Sequence, residues 1–293
     1  MGLFVGCLPS AGDVNRLDCA PPDGGTLLSL VDRDVVAGPA LADPRGLVVL
    51  VHGFGEEACD WVDRTEERAL ADAVLAESLA WVAVDGADRA WDTALDSPEI
   101  ADVDAAIEAL EEDGALVPGL PTAVVGHSNG GAFAQVYARG STRDVVGFVN
   151  ANGWGTPALR RGEPLPPGIF IAAENDSVVS SRTVLDAATG AANNGHEIEV
   201  LLRVRGDLDV PRLTRIPALS ASDAERVVEA WRAEGLLDSR GPATSPRTDP
   251  RYGFAVPDDL SESRGEILDQ VHVAYAEHRF SAEEPAAVVR FFE

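Results

Sequence analysis

The sequence predicts an α/β domain, a mostly parallel central sheet flanked by helices, with a helical and loop insertion late in the chain. Three observations carry that expectation. Apolar runs at 46–51, 79–84, 122–125, 145–149, 168–172 and 198–202 are too continuous for a half-exposed sheet, and strands covered on both faces read this way. Between them apolar residues fall at helical spacing, clearest at Ile100, Val103, Ile107 and Leu110 and again over 65–79. Strand and helix therefore alternate, as in a parallel sheet joined by crossover helices. The length, 293 residues, suits one large domain with a full core.

Along the chain, residues 1–25 are punctuated by Pro, Gly and Asp without periodicity and read as a flexible leader, leaving 26–293 as the domain. Residues 27–36, broken at Asp32-Arg-Asp34, suggest a strand or short hairpin at one sheet edge. The alternation stops at 206–270, which holds one good helix at 222–234 and then Gly-, Pro-, Ser- and Arg-rich sequence through Pro257. A connection this long is usually functional or disordered, so this insertion is a candidate lid beside the site.

Composition narrows the partners. All 23 basic residues are arginine, against 49 acidic ones, giving a formal charge of -26. Such a surface repels nucleic acid. It fits either a surface solvated at high salt or a GC-rich coding bias that favours Arg over Lys. No apolar run is long enough to span a bilayer. Cys7, Cys19 and Cys59 are odd in number and lack ligand spacing, which argues against a metal site. The opening Met1-Gly-Leu-Phe-Val-Gly-Cys7 has a small residue before a cysteine, as at the end of a bacterial lipoprotein signal, but lacks its basic start and full apolar stretch. On that feature alone localisation leans to export or a lipoprotein anchor, with an ordinary N-terminus and a cytoplasmic protein as the alternative.

The chemistry centres on Gly126-His-Ser128-Asn129-Gly130, which follows an apolar strand and precedes a helix expected at 129–139. A serine hydroxyl is a poor nucleophile unless held exposed beside a base, and a sharp strand-to-helix turn does this only when its neighbours are small. Val51-His52-Gly53-Phe54-Gly55 closes the first central strand, where the Phe54 N–H, paired with that of Asn129, can meet a developing oxyanion. Past the strand at 168–172 stand Glu174 and Asp176. Asp176 is the expected acid, its rival role being a cap for a helix starting near Val179.

Five histidines compete for the base. His52 and His127 adjoin the oxyanion loop and the serine, and the order Ser, Asp, His excludes them. His196 precedes a strand at the wrong edge, and His272 shares a helical face with Leu268, Val271 and Tyr275, which suggests a packed ring. His278 remains, in a loop ahead of Ser281-Ala-Glu-Glu284, which reads as a capping box opening the terminal helix. Trp154, in a Gly-flanked turn beyond its strand, reads equally as the floor of a substrate pocket and as a packing residue.

These motifs resemble those of the α/β-hydrolase superfamily. His52-Gly-Phe-Gly55, Gly126-His-Ser-Asn-Gly-Gly131, Glu174-Asn-Asp-Ser-Val-Val179 and Glu277-His-Arg-Phe280 occur in that family's order, and the match runs from about 27 to 292. The resemblance implies an α/β-hydrolase fold and a Ser128/Asp176/His278 serine hydrolase acting on small-molecule or polymeric esters without a cofactor. Acyltransferases and peptidases share the machinery, and an inert binding module on the same fold is a further alternative. A serine at 128 argues against the dienelactone hydrolase and haloalkane dehalogenase branches, and the insertion is longer than in minimal members.

Overall fold

Six consecutive apolar residues leave no polar face, so Gly46–Val51 (β3) must be covered on both sides. All six are buried in the computed structural model, which describes residues 19–29, 33–160, 162, 164–283 and 285–293. Among these residues eight strands form one sheet, in the order β1-β2-β4-β3-β5-β6-β7-β8. The hairpin Thr26–Ser29 (β1) and Asp34–Ala37 (β2) is antiparallel and lies at one edge. From Leu79–Val84 (β4) through Thr122–His127 (β5), Val145–Ala151 (β6), Gly168–Ala173 (β7) and Ile198–Arg203 (β8), neighbouring strands are parallel. This is the architecture the alternating pattern predicts.

Alternate residues of the strands feed two cores. Val49 and Val51 pack with Ile100, Val103, Ile107 and Leu110 of Glu99–Glu112 (α3), Phe133 and Tyr137 of Asn129–Gly140 (α4) and Val184 of Ser181–Asn193 (α5). Val48 and Leu50 pack on the opposite face with Trp61 of Asp60–Asp63 (α1), Leu70 and Val74 of Thr65–Ala76 (α2), Phe280, and Val288 of Pro285–Val289 (α10). The apolar positions singled out in α3 are the ones that meet the sheet. Among the described residues no helix is long and apolar enough to cross a membrane.

Two sequence expectations need correction. Cys19 is disulfide-bonded to Cys59, so the end of the stretch read as a free leader is tied beside α1, and residues 1–18 lie outside the described residues. The odd cysteine count hid this pair. At the other end, helix α10 starts at Pro285 rather than within the expected capping box. Tertiary contacts hold the box open: the Ala282 N–H donates to Glu66 Oε2 at 2.9 Å, and Glu283 pairs with Arg212. Proline with its fixed φ then suits the first helical position. Glu284 itself lies outside the described residues.

The segment 206–270 is more ordered than its Gly- and Pro-rich composition suggests. Val210–Leu213 (α6), Ala221–Ala233 (α7), Arg251–Ala255 (α8) and Arg264–Ala274 (α9) enclose a third core around Leu213, Val227, Trp231, Tyr252, Ile267 and Val271. The indole of Trp231 donates to Tyr252 O at 3.0 Å, and the Tyr252 hydroxyl to Leu236 O at 2.9 Å. Two of the helices are too short for periodicity to reveal. Helix α9 runs past the expected boundary and leads directly into the loop bearing His278.

The first turn of α2 faces α9 and that loop across a cleft of about 100 Å³ lined by Thr65, Glu67, Glu266, Gln270, Arg279 and Phe280. Burial, and after it the neighbouring Glu56, raise the Glu67 carboxyl to a pKa of about 8, against the pull of Arg64. A carboxyl whose folded pKa lies above its unfolded value holds a proton in the folded chain that the unfolded chain has released. Its contribution is therefore present at low pH and lost as pH rises from about 4.5 to about 8. The melting temperature of Glu67→Gln, minus that of the wild type, should grow steadily with pH across that interval. A difference independent of pH would contradict the assignment.

Candidate active site

Phe54, Ser128 and Asp176 all follow the carboxyl ends of parallel strands, the side of such a sheet where ligands bind. Ser128 sits between β5 and α4 at φ 55°, ψ -116°, a strained conformation for a residue with a side chain. Its neighbours enforce the turn. The Ser128 N–H donates to Ala151 O of β6 at 2.8 Å, and Ser128 O accepts from Ala132 N at 3.1 Å. A Cβ on Gly126 would lie 2.1 Å from Gly130 O, and one on Gly130 would lie 2.3 Å from His52 O. Only glycine lets the strand, the turn and the loop after β3 approach this closely.

The Ser128 hydroxyl lies 2.8 Å from Nε2 of His278, whose Nδ1 lies 2.6 Å from Asp176 Oδ2. The other carboxylate oxygen of Asp176 accepts from the N–H groups of Val178 and Val179, both at 2.8 Å, and its side chain has no exposed surface. Asp176 thus faces the imidazole with an oxygen whose direction is fixed, so Nδ1 carries the proton and Nε2 is left to accept from the serine hydroxyl. The capping role weighed for Asp176 belongs to Ser180, whose Oγ accepts from Thr183 N at the start of α5. Glu174 is exposed and its carboxylate is turned to the Arg205 N–H at 3.4 Å.

The other histidines have separate partners. His52 accepts the Gly86 N–H on Nε2 at 2.9 Å and so donates from Nδ1 to Gly53 O at 2.7 Å. Burial lowers its pKa to about 4 and keeps it neutral. His127 is buried with its Nδ1 3.5 Å from Glu56 Oε2 and its ring centroid 5.0 Å from that of His278. Burial also lowers its pKa. The Nε2 of His196 meets Leu159 O and Arg160 O. His272 is only partly buried, 3.4 Å from Glu277 Oε2. Burial, then Arg247 and Arg279, lower its pKa to about 4.

Among the described residues no acceptor takes the N–H of Phe54 or of Asn129. The surrounding loops are fixed by cross-links that sequence reasoning missed. Asn129 Oδ1 accepts from Trp91 N at 2.6 Å and its Nδ2 donates to Trp91 O at 3.0 Å, while the Trp91 indole donates to His52 O at 3.0 Å. Glu56 Oε2 accepts the Gly53 N–H at 2.7 Å and the carboxylate pairs with Arg64. Burial pushes the Glu56 carboxyl up, but His127 and Arg64 outweigh it and hold it well below the usual range. The Phe54 ring stands 77% exposed, as does Val178 at 69%. Trp154 is partly buried against the core on the α4 side.

No protein-family model matches the chain, and no curated protein does. Among solved structures it is similar to a thermophilic esterase from the Planctomycetes species Thermogutta terrifontis with butyrate bound, at 16% identity, 61% coverage of this chain, 83% of that chain and a TM-score of 0.45. The Thermogutta terrifontis esterase 2 phosphorylated by paraoxon matches at 16% identity, covering 64% and 85%, with a TM-score of 0.47. Esterase PE8 matches at 19% identity, covering 61% and 88%, with a TM-score of 0.43.

The two carboxylates past β7 give a direct test of the geometry. Asp176→Asn should lower turnover of an activated ester by orders of magnitude, because an amide cannot stabilise the protonated imidazole and can hold the wrong tautomer. Glu174→Gln should leave turnover near wild type. Reversed effects in steady-state kinetics would move the acid to Glu174.

Proposed function

We propose that this protein is a serine hydrolase that cleaves carboxylic esters through an acyl-serine intermediate. The observation that supports this most is the hydrogen-bonded chain Ser128 Oγ, His278, Asp176, at 2.8 and 2.6 Å, with the backbone N–H groups of Phe54 and Asn129 left without an acceptor among the described residues. His278 Nε2 takes the hydroxyl proton as Ser128 Oγ bonds to the ester carbonyl carbon, and buried Asp176 stabilises the imidazolium. The carbonyl oxygen gains the negative charge and is met by the N–H groups of Phe54 and Asn129, the second of which also opens a helix. The imidazolium then protonates the departing alkoxide, leaving the acyl group on Ser128. In the second half His278 takes a proton from water as it attacks the acyl carbon, and Ser128 recovers its proton as the carboxylic acid leaves. Every charge in this cycle is met by a group of the chain itself.

Substrate contacts belong to the same reading. Trp154 and the exposed Phe54 ring offer apolar surface on either side of the β5 elbow, and α9 ties the 206–270 segment to the His278 loop, consistent with a wall or lid over the site. The Cys19–Cys59 bond fits an oxidising compartment.

Turnover of short p-nitrophenyl esters, with and without an added alcohol or amine acceptor, tests the reaction class. Ser128→Ala should abolish it with the fold intact, since the change removes one hydroxyl. His278→Ala should lower turnover by orders of magnitude with little change in melting temperature. His272→Ala should lower the melting temperature and spare the rate. A His278→Ala enzyme of full activity beside an inactive His272→Ala enzyme would make His272 the base.

A further inference from the structure

We infer that Arg203 is a positioning residue for the base, its guanidinium fixing the main chain on both sides of His278. The inference rests on the function proposed above. Arg203 is the last residue of β8 and pairs in register with Ala173, three residues before Asp176. Its Nη1 donates to Arg279 O at 2.8 Å and its Nη2 to Glu277 O at 2.6 Å. The two carbonyls held are those of the residues immediately before and after the histidine.

The placement is costly for a purely structural arginine. Arg203 is 8% exposed, and among the described residues no carboxylate stands within ion-pair distance of it, while Glu283, Glu66 and Asp176 act on it from farther away. A buried cation without a paired carboxylate is a desolvation cost that a packed apolar side chain would avoid. What arginine supplies instead is a planar fork that can grip two carbonyls at a fixed spacing. Burial lowers its pKa to about 10, so the fork still carries its full set of donors at neutral pH.

Weaker anchors complete the arrangement. Asn152 Nδ2 donates to the same Arg279 O at 3.1 Å. Asn175 donates from its backbone to Ala276 O at 2.9 Å and from Nδ2 to Tyr275 O at 2.7 Å. The loop from 275 to 279 thus hangs by its carbonyls from residues at the ends of β6, β7 and β8. Because Arg203 ends β8 and Asp176 follows the end of the neighbouring β7, the register of these two strands sets both the acid and the clamp on the base. Without the clamp, backbone motion at 277–279 would carry the imidazole off the line between Asp176 and Ser128.

The test uses the full chain with Arg203→Lys, which keeps the charge but not the fork, and Arg203→Met, which keeps neither. With p-nitrophenyl acetate, Arg203→Lys should lower kcat about 10- to 100-fold at unchanged KM, as expected for a displaced reacting group, and Arg203→Met should lower it at least as much. The far-downfield proton resonance of the His278 Nδ1–H, read by NMR, should broaden or vanish in both, a change that loss of stability alone in a folded variant would not cause. Wild-type kcat with that resonance intact would overturn the inference, whatever the melting temperature. If Arg203→Met does not fold, Arg203→Lys decides; unfolding of both would overturn it too, by making Arg203 a determinant of the fold. The resonance needs no ester, so a wild type without esterase activity whose resonance is lost in the variants would sink the proposed function and leave the clamp standing.

Discussion

One imidazole has to meet two partners at once. His278 touches Ser128 with one ring nitrogen and Asp176 with the other, at 2.8 and 2.6 Å, and the three residues come from a strand-to-helix turn, a strand-end loop and the loop after an inserted helix. The rest of the structure can be read as the means of holding that span. The parallel sheet sets the spacing between the ends of β5 and β7. The glycines around Ser128 let its turn close, and Asp176 is aimed because its second oxygen is already taken by two backbone N–H groups. A ring moved by an ångström would lose one contact or the other.

The loop after β3 and the start of α4 are held separately. The Asn129 side chain bonds to both the N–H and the carbonyl of Trp91, and the Trp91 indole bonds to His52 O. Those bonds tie the start of α4 to the loop after β3, so the two N–H groups proposed to receive the oxyanion are fixed relative to each other. Neutral His52 and ionised Glu56 complete this frame by bonding to the carbonyl and the N–H of Gly53. In the proposed reaction, charge developing there would meet dipoles already in place, the condition under which such stabilisation is strongest.

What the sequence made legible follows from range. The strands and α3 were readable because continuous and periodic apolar patterns are local, and Ser128 because its motif lies between a buried strand and a helix. Asp176 and His278 could be chosen from chain order and strand ends, without contact information. Arg203 and the side chain of Asn129 escaped because each acts on backbone groups far along the chain, and Glu56 because its bonds to Gly53, Arg64 and His127 leave no periodic trace. The third core was hidden by helices of four and five residues, and the capping box misled because Glu66 and Arg212 hold that turn from a distance.

The central claim is that Ser128 is the group that becomes acylated. Its most direct test is to mix the protein with p-nitrophenyl acetate, quench in acid during turnover, and locate the acetyl group by peptide mass spectrometry. The account predicts one acetyl group on the peptide spanning the β5–α4 turn, at Ser128. Ester turnover with Ser128 unmodified, or with the acetyl group on another side chain, would contradict it.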